Sequence, residues 1–303
     1  MVDNPSETLC GFVAILGAPN VGKSTLLNRI VGTKVSIVSA KVQTTRTRVL
    51  GIALDGAAQL IFIDTPGIFL PKRRLDRAMV AAAWGGAGDA DRILLLIDSK
   101  KGVDPDTQLI IDKLVRQGGR SVDLVLNKID LVDKQKLLGL TETLNNYGIF
   151  DKIYMVSAEK GDGVEDLVSY LKSKIPLSPW LFPEDQISDM PMRLLAAEIT
   201  REQLFIKLHQ ELPYAATVET ETWQEKDDGS IRIEQTIYVE RGSQRSIVLG
   251  KNGKMIKSIG AESRRELADL VDSVVHLFLF VKVREKWGDD PSRYSQWGLD
   301  FNA

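Results

Sequence analysis

Five short apolar runs punctuate the first 175 residues: Phe12–Leu16, Leu60–Ile63, Ile93–Ile97, Leu124–Leu126 and Ile153–Val156. Longer amphipathic or polar stretches separate them. Continuous apolar strands between helices predict an α/β domain, a mostly parallel sheet with helices on both faces. The pattern changes at 176–191, where Pro176, Pro179, Pro183 and Pro191 crowd together without apolar periodicity. Proline fixes φ and lacks a donor, so this stretch reads as a linker. Beyond it a helical pattern runs from Met192 to Gln210, with Leu194, Leu195, Ile199 and Leu208 on one face and Pro213 as its stop. Two alternating runs, Ala216–Trp223 and Ile231–Val239, flank Asp227-Asp228-Gly229-Ser230, which signals a hairpin. A short apolar stretch (Ile247–Leu249), a helix around Lys254–Leu270 and a strand at Val274–Val283 complete the order αββααβ. The expected domains are 1–175 and 192–303, joined by 176–191.

Directly after the first strand lies Gly17-Ala18-Pro19-Asn20-Val21-Gly22-Lys23-Ser24, which fits G-x-x-x-x-G-K-[ST]. A helical pattern, Thr25–Val31, follows, as the motif requires. The glycines let the backbone wrap a phosphate, so N–H groups and the helix N-terminus face the anion. Lys23 is placed to reach the β- and γ-phosphates, and the Ser24 hydroxyl to bind Mg²⁺. Gly17 through Thr25 form the expected cradle for a nucleoside triphosphate; the motif does not choose the base.

The base is chosen further along. Asn127-Lys128-Ile129-Asp130 follows a strand, and a carboxylate at Asp130 accepts from both the ring N–H and the exocyclic amine of guanine. Adenine lacks those donors, and a buried carboxylate left unpaired is costly. Asn127 would orient the loop and touch the base. Ser157-Ala158-Glu159, after another strand, offers backbone N–H groups to the guanine carbonyl. Asp64-Thr65-Pro66-Gly67 puts a carboxylate where it holds Mg²⁺ through water and a Gly67 N–H where it senses a γ-phosphate. All four patterns sit at carboxyl ends of strands, where open α/β sheets bind ligands. GTP and GDP are therefore the expected nucleotides, with Lys23, Asp64, Gly67 and a switch threonine, Thr44 or Thr45, as candidate catalytic residues.

Between Lys41 and Arg48 a polar loop offers Thr44 and Thr45 as the threonine that meets Mg²⁺ only when the γ-phosphate is present. Ser24, Asp64 and one of Thr44 and Thr45 are the candidate metal ligands. Ile68 stands where many Ras-type GTPases carry a water-orienting glutamine, so slow intrinsic hydrolysis is expected. Arg46, Arg73 and Arg74 read as exposed, solvated charges rather than as an arginine finger.

Composition adds limits. The 303 residues carry a formal charge of −2, with 44% hydrophobic and 26% charged residues, ordinary values for a globular protein. A single cysteine, Cys10, forms no internal disulfide, suits a reducing compartment, and reads as a small apolar residue of the first strand. Met1–Thr8 is polar and acidic, with no signal-peptide character, and no apolar run approaches membrane-spanning length, so a cytoplasmic protein is expected. His209 and His276 read as structural.

Near-neutral charge argues against a nucleic-acid binder until the chain is split. Residues 241–265 hold seven basic residues and one acidic one, inside a second half (176–303) that is net −5. The basic window surrounds Gly250-Lys251-Asn252-Gly253, a GXXG turn of the type with which KH domains clamp about four nucleotides. In an αββααβ context it predicts an α+β, type II KH domain. Arg245, Gly250, Lys251, Asn252, Gly253, Lys254, Lys257 and Arg264 are the candidate RNA-binding residues. Ile247, Ile256 and Ile259 form either a floor for splayed bases or plain core.

These residues together resemble the Era family of bacterial GTPases over nearly the whole chain. The resemblance rests on G-A-P-N-V-G-K-S-T-L-L-N, Q-T-T-R at 43–46, D-T-P-G, N-K-I-D, S-A-E-K-G, F-P-E-D at 182–185, E-L-P-Y at 211–214 and G-K-N-G. F-P-E-D and E-L-P-Y carry no general GTPase chemistry, so they point to this family within GTPases. The resemblance implies a KH domain that binds the 3′ end of 16S rRNA, a role in assembly of the 30S subunit, and peripheral association with the inner membrane. It also implies a monomer, Thr45 as the switch threonine, and K⁺ bound through Asn20. Ala18 and Val42 depart from its usual residues without threatening nucleotide binding. The rival expectation is a GTP-regulated membrane or cell-cycle signalling protein whose KH-like domain binds protein.

Overall fold

A computed structural model describes residues 8–39, 41, 45–208 and 212–303. The acidic N-terminal stretch (apart from Thr8), Val42, Thr44 and His209 therefore fall outside the described residues. The described residues form two compact units: those within 1–36, 45–189 and 294–303, and those within 37–44 and 190–293.

The first unit is a six-stranded sheet in the order β2-β3-β1-β4-β5-β6. Its strands are β1 (Leu9–Leu16), β2 (Val49–Asp55), β3 (Ala58–Asp64), β4 (Arg92–Asp98), β5 (Val122–Asn127) and β6 (Phe150–Met155). All neighbours pair in parallel except β2, which runs antiparallel to β3 from Val49 opposite Asp64 to Asp55 opposite Ala58. The five expected apolar runs are the five parallel strands; β2, with its polar end and central Gly51, lacked a continuous apolar run. Helices α1 (Lys23–Val31), α2 (Arg74–Gly88), α3 (Pro105–Gln117), α4 (Lys134–Asn145) and α5 (Val164–Lys172) complete the unit.

Alternation of side chains along each strand gives two cores, one per face. Ala14, Leu16, Ile61, Ile63, Leu95 and Leu124 pack with Ala83 of α2 and Ile110 and Ile111 of α3. Val13, Ile15, Leu60, Phe62, Leu94 and Leu96 pack with Leu26 and Leu27 of α1 and Leu167 and Leu171 of α5. Cys10 is buried, as expected of a small apolar residue.

The proline-rich stretch is bonded to this sheet and does not hang between domains. Cys10 donates its N–H to Pro176, Ser178 to Thr8, and Ile52 to Ile187. Fully buried Gln59 accepts from the N–H groups of Leu181 and Phe182 and donates to the Phe182 carbonyl. Gly11 permits the crossing, since a Cβ there would lie 2.7 Å from Ile175. Prolines removed the periodicity that would have advertised these contacts, but they left enough N–H groups to make them. The expected domain 192–303 also changes at its end. Residues 294–303 fold with the first unit because they form an aromatic cluster, Tyr294, Trp297 and Phe301, with Arg74 of α2 lying 4.3 Å from the Phe301 ring centre.

The second unit has the expected order: α6 (Met192–Lys207), β7 (Ala216–Glu225), β8 (Ile231–Val239), α7 (Gly242–Leu249), α8 (Lys254–Val271) and β9 (Val275–Val283). Its sheet runs β7-β8-β9, antiparallel then parallel. Buried Leu195, Ile199, Ile233, Leu267 and Val275 join α6 and α8 to one sheet face. Leu208 is buried but follows the end of α6, which stops well before Pro213. The described residues within 37–44 belong with this unit: Val38 donates its N–H to Glu202 Oε1 of α6 at 2.7 Å, and the Lys41 ammonium bonds the carbonyls of Phe205 and Leu208 at the helix end.

Candidate nucleotide site and RNA groove

Strand β1 lies between β3 and β4, so the chain leaves it at a switch point of the sheet, where open α/β folds bind ligands. The loop from Gly17 to Gly22 emerges there and feeds α1. Gly17 and Gly22 hold φ at +156° and +101°, and a Cβ on Gly22 would fall 2.3 Å from the Asn127 amide. Neither position admits another residue without displacement. Ala18 and Val21 are buried beneath the loop, Pro19 and Asn20 form its turn, and Thr25 lies in the first turn of α1.

Lys23 is buried and donates to the carbonyls of Gly17 and Ala18 at 3.1 and 3.0 Å, which aims its ammonium into the loop. Burial pushes its pKa down to about 8, although Asp64 nearby opposes the shift. An anion in the loop would restore the charge.

Three oxygen-bearing side chains meet at the mouth of the loop. Ser24 Oγ lies 2.7 Å from Asp64 Oδ2 and 3.0 Å from Thr45 Oγ1, and Thr45 Oγ1 is 3.4 Å from the same carboxylate oxygen. Ser36, which sequence reasoning missed, donates to it as well, at 2.8 Å. Burial raises the Asp64 pKa, while Lys23 and the three hydroxyls resist that rise. Asp64 Oδ1 is buried without a hydrogen-bond partner among the described residues. Hard oxygens with one orphaned carboxylate oxygen fit a Mg²⁺ site of one carboxylate and hydroxyls. Among the described residues no group of three His, Cys, Asp or Glu competes as a metal centre.

Gly67 packs against Pro19, where a Cβ would come within 2.9 Å. The main chain of the D-T-P-G turn thus approaches the phosphate loop, and the Ile68 N–H donates to Gly17. Ile68 itself is buried, consistent with its inability to orient water. Arg46, expected as a solvated charge, is instead buried at 2% exposure, as are Thr45 and Thr47 on either side of it.

The guanine motifs assemble around Asn127. Its Nδ2 donates to the Val21 carbonyl at 2.8 Å, and its Oδ1 accepts from the Ala158 N–H at 2.9 Å, joining three loops. Lys128 donates to the Asn20 carbonyl and to Asp98, each at 2.7 Å. Asp98 carried no motif and was not anticipated. Ser157 donates to Asp130 Oδ1 at 2.7 Å, leaving Oδ2 with Lys160 at 3.9 Å. Glu159 is exposed; of the N–H groups expected to meet the guanine carbonyl, those of Ser157 and Ala158 are already bonded, to the Asp162 carbonyl and to Asn127 Oδ1.

In the second unit, Gly250–Gly253 forms the turn between α7 and α8, with Asn252 at φ 54°. A Cβ on Gly250 would meet Met255 at 2.6 Å, whereas Gly253 opens onto clear space. Ile256, Lys257, Gly260 and Arg264 of α8 face Phe278 and Phe280 of β9 across a groove of about 380 Å³. Lys251 and Lys254 stand at its turn end. Arg245 is partly committed elsewhere, its Nε donating to the Val281 carbonyl at 3.2 Å. The three isoleucines divide: Ile259 is core, Ile256 lines the groove and Ile247 is exposed. Phe278 and Phe280 were missed because their run read only as a strand. His276 is exposed on β9.

This is a P-loop GTPase domain followed by a KH domain. A family described as 50S ribosome-binding GTPase matches residues 12–128, and the KH domain family matches 211–288. The GTPase Era of Bradyrhizobium sp. (strain BTAi1) is 60% identical over 98% of this chain and 96% of its own length. That of Rhizobium meliloti is 59% identical over 97% and 94%. A crystal structure of Era in complex with MgGDPNP and nucleotides 1506–1542 of 16S ribosomal RNA superposes with a TM-score of 0.91, at 38% identity, covering 96% of this chain and 99% of that one. An Aquifex aeolicus Era variant bound to GDP and aluminium fluoride gives the same figures. The chain belongs to the Era family of GTPases.

Proposed function

We propose that this protein hydrolyses GTP to GDP and phosphate and, through its KH groove, binds the 3′ end of 16S rRNA during assembly of the 30S subunit. The likeness to an Era crystallised with both MgGDPNP and a 16S rRNA fragment carries this reading, because it extends over both units. The GTP-binding role falls to the sheet domain within 1–175, and RNA binding to the αββααβ domain after 191.

In this reading Lys23 and the loop N–H groups bind the phosphates, and the Gly67 N–H meets the γ-phosphate. Ser24, Thr45 and Asp64 would hold Mg²⁺, which when bound offsets charge on the phosphate oxygens. Asp130 selects guanine, and Asn127 and Ala158 fix the surrounding loop. Buried Ile68 brings no polar group to a water, so intrinsic turnover is slow. Asn20 would hold K⁺, whose charge when bound would offset that of the phosphates. Phosphates of single-stranded RNA run along Lys251, Lys254, Lys257 and Arg264, with bases against the apolar groove.

The protein works as a monomer in the cytoplasm and associates peripherally with the inner membrane; these points rest on family membership. No helix among the described residues is long and apolar enough to cross a membrane. Crosslinking in cells with sequencing of the bound RNA tests the central reading. A peak at the 16S 3′ end is expected; its absence, with protein partners recovered instead, favours a signalling role.

A further inference from the structure

Arg29 occupies the last turn of α1, the helix that begins with Lys23 and Ser24. The residue is exposed, yet its guanidinium is engaged: Nε donates to the Ala158 carbonyl at 3.2 Å and Nη2 to the Glu159 carbonyl. No phosphate motif calls for an arginine at that position. A planar fork matches two successive carbonyls in a way that a point-charge ammonium does not.

A trans peptide directs its C=O and N–H oppositely. Holding the 159 carbonyl toward α1 therefore turns the Lys160 N–H inward, where it donates to Ser157 Oγ at 3.2 Å. With that oxygen accepting, its own proton goes to Asp130 Oδ1, 2.7 Å away. The chain of contacts runs from Arg29 through one peptide plane and one hydroxyl to the carboxylate assigned to guanine.

We infer that Arg29 is a positioning residue for base recognition: it sets the orientation of Asp130 through the 159–160 peptide and Ser157, and so sets how long guanine nucleotides stay bound. The inference rests on the reading of Asp130 and 157–159 as the guanine site.

The test compares the full chain with Arg29→Met, which keeps the aliphatic stem, and Arg29→Lys, which keeps the charge but reaches one carbonyl. Release of fluorescent mant-GDP should accelerate about tenfold in Arg29→Met and by less in Arg29→Lys, the loss expected for charged hydrogen bonds. The preference for GDP over IDP, which lacks the exocyclic amine that Asp130 accepts from, should shrink about threefold or more. Single-turnover hydrolysis of prebound GTP should stay within about twofold, since Lys23 and Asp64 are untouched. Release rates within about twofold of wild type overturn the inference, and so does equal acceleration for GDP and IDP, which marks a merely structural role. Asp130→Asn separates the two levels. If it fails to shift preference from GDP to XDP, the guanine assignment falls; if it succeeds while Arg29→Met does nothing, only the role of Arg29 falls.

Discussion

The ammonium of Lys128 lies 2.7 Å from the carbonyl oxygen of Asn20, so a residue of the N-K-x-D loop closes the phosphate loop from behind. The same ammonium is paired with Asp98 at 2.7 Å and is about one-third exposed. Lys128→Met should therefore loosen the phosphate loop without touching the base contacts. Losing two charged hydrogen bonds costs on the order of 1.5–3 kcal/mol, which predicts GDP release faster by at least about tenfold. Stopped-flow measurement of mant-GDP release checks it, with an unchanged GDP-to-IDP preference marking the loss as one of phosphate grip.

Asn20 adopts a left-handed backbone, φ 65°, which asparagine tolerates better than most residues. Its carbonyl faces Lys128, so coordination of a cation by this residue runs through the side-chain oxygen. Replacing K⁺ by Na⁺ at constant ionic strength should slow GTP hydrolysis, and Asn20→Ala should remove the difference. Equal wild-type rates in the two salts count against the K⁺ role.

Lys23 gives a pH dependence with a definite sign. Burial lowers its pKa to about 8, so above that pH the nucleotide-free protein holds it mostly neutral. A bound phosphate raises the pKa again, and binding then takes up a proton. Uptake should rise from about half a proton at pH 8 to about 0.9 at pH 9, and affinity for GDP should fall over that interval. Calorimetry in buffers of different ionisation enthalpy measures the uptake directly. A pH-independent proton count of zero would mean that Lys23 stays charged in the empty loop.

What was legible in the chain, and what was not, follows from the physics of each signal. The five parallel strands announced themselves because burial on both faces demands unbroken apolar runs, as in Leu94–Leu96. The phosphate and base motifs were legible because ligand chemistry fixes residue types at fixed spacing. β2 was hidden because Gly51 interrupts its apolar residues. Ser36 and Asp98 were hidden because they serve the site from outside any motif, and Phe278 and Phe280 because an exposed aromatic on an edge strand looks like one facing the core. Arg46 misled because a charge in a polar loop gives no hint of burial. The course of 176–189 was hidden because its bonds are to main chain and to Gln59, and neither leaves a periodic trace.

Gln59 supplies a stability prediction for that segment. Its side chain is fully buried and bonds Leu181, Phe182 and the Cys10 thiol. Gln59→Leu keeps the volume and removes all of these. Leu181 is itself 58% exposed, so water can replace part of the loss. The expected cost is about 1–3 kcal/mol, read as a lower denaturant midpoint. Limited proteolysis should also open cleavage near 181–183, while GDP affinity stays close to wild type, because the nucleotide site lies at the other end of the strands.

The two glycines of the G-K-N-G turn predict different outcomes for the same substitution. Gly250 has no room, since a Cβ meets the Met255 Cβ at 2.6 Å, so Gly250→Asp should disrupt the turn and destabilise the domain. Gly253 has φ 71°, but the nearest atom to its Cβ is Ile256 Cγ2 at 4.0 Å. Aspartate tolerates that conformation at a cost of about 1–2 kcal/mol, so Gly253→Asp should stay folded. It places a negative side chain where the RNA backbone would pass, beside Lys251 and Lys254. Affinity for an oligonucleotide of the 16S 3′ end should drop about tenfold or more, with a shallower dependence on salt as phosphate contacts are lost. GTP affinity should not change. Unaltered RNA binding by a folded Gly253→Asp protein would remove the turn from the RNA path and, with it, the assignment of the α8–β9 groove as the place where the bases lie.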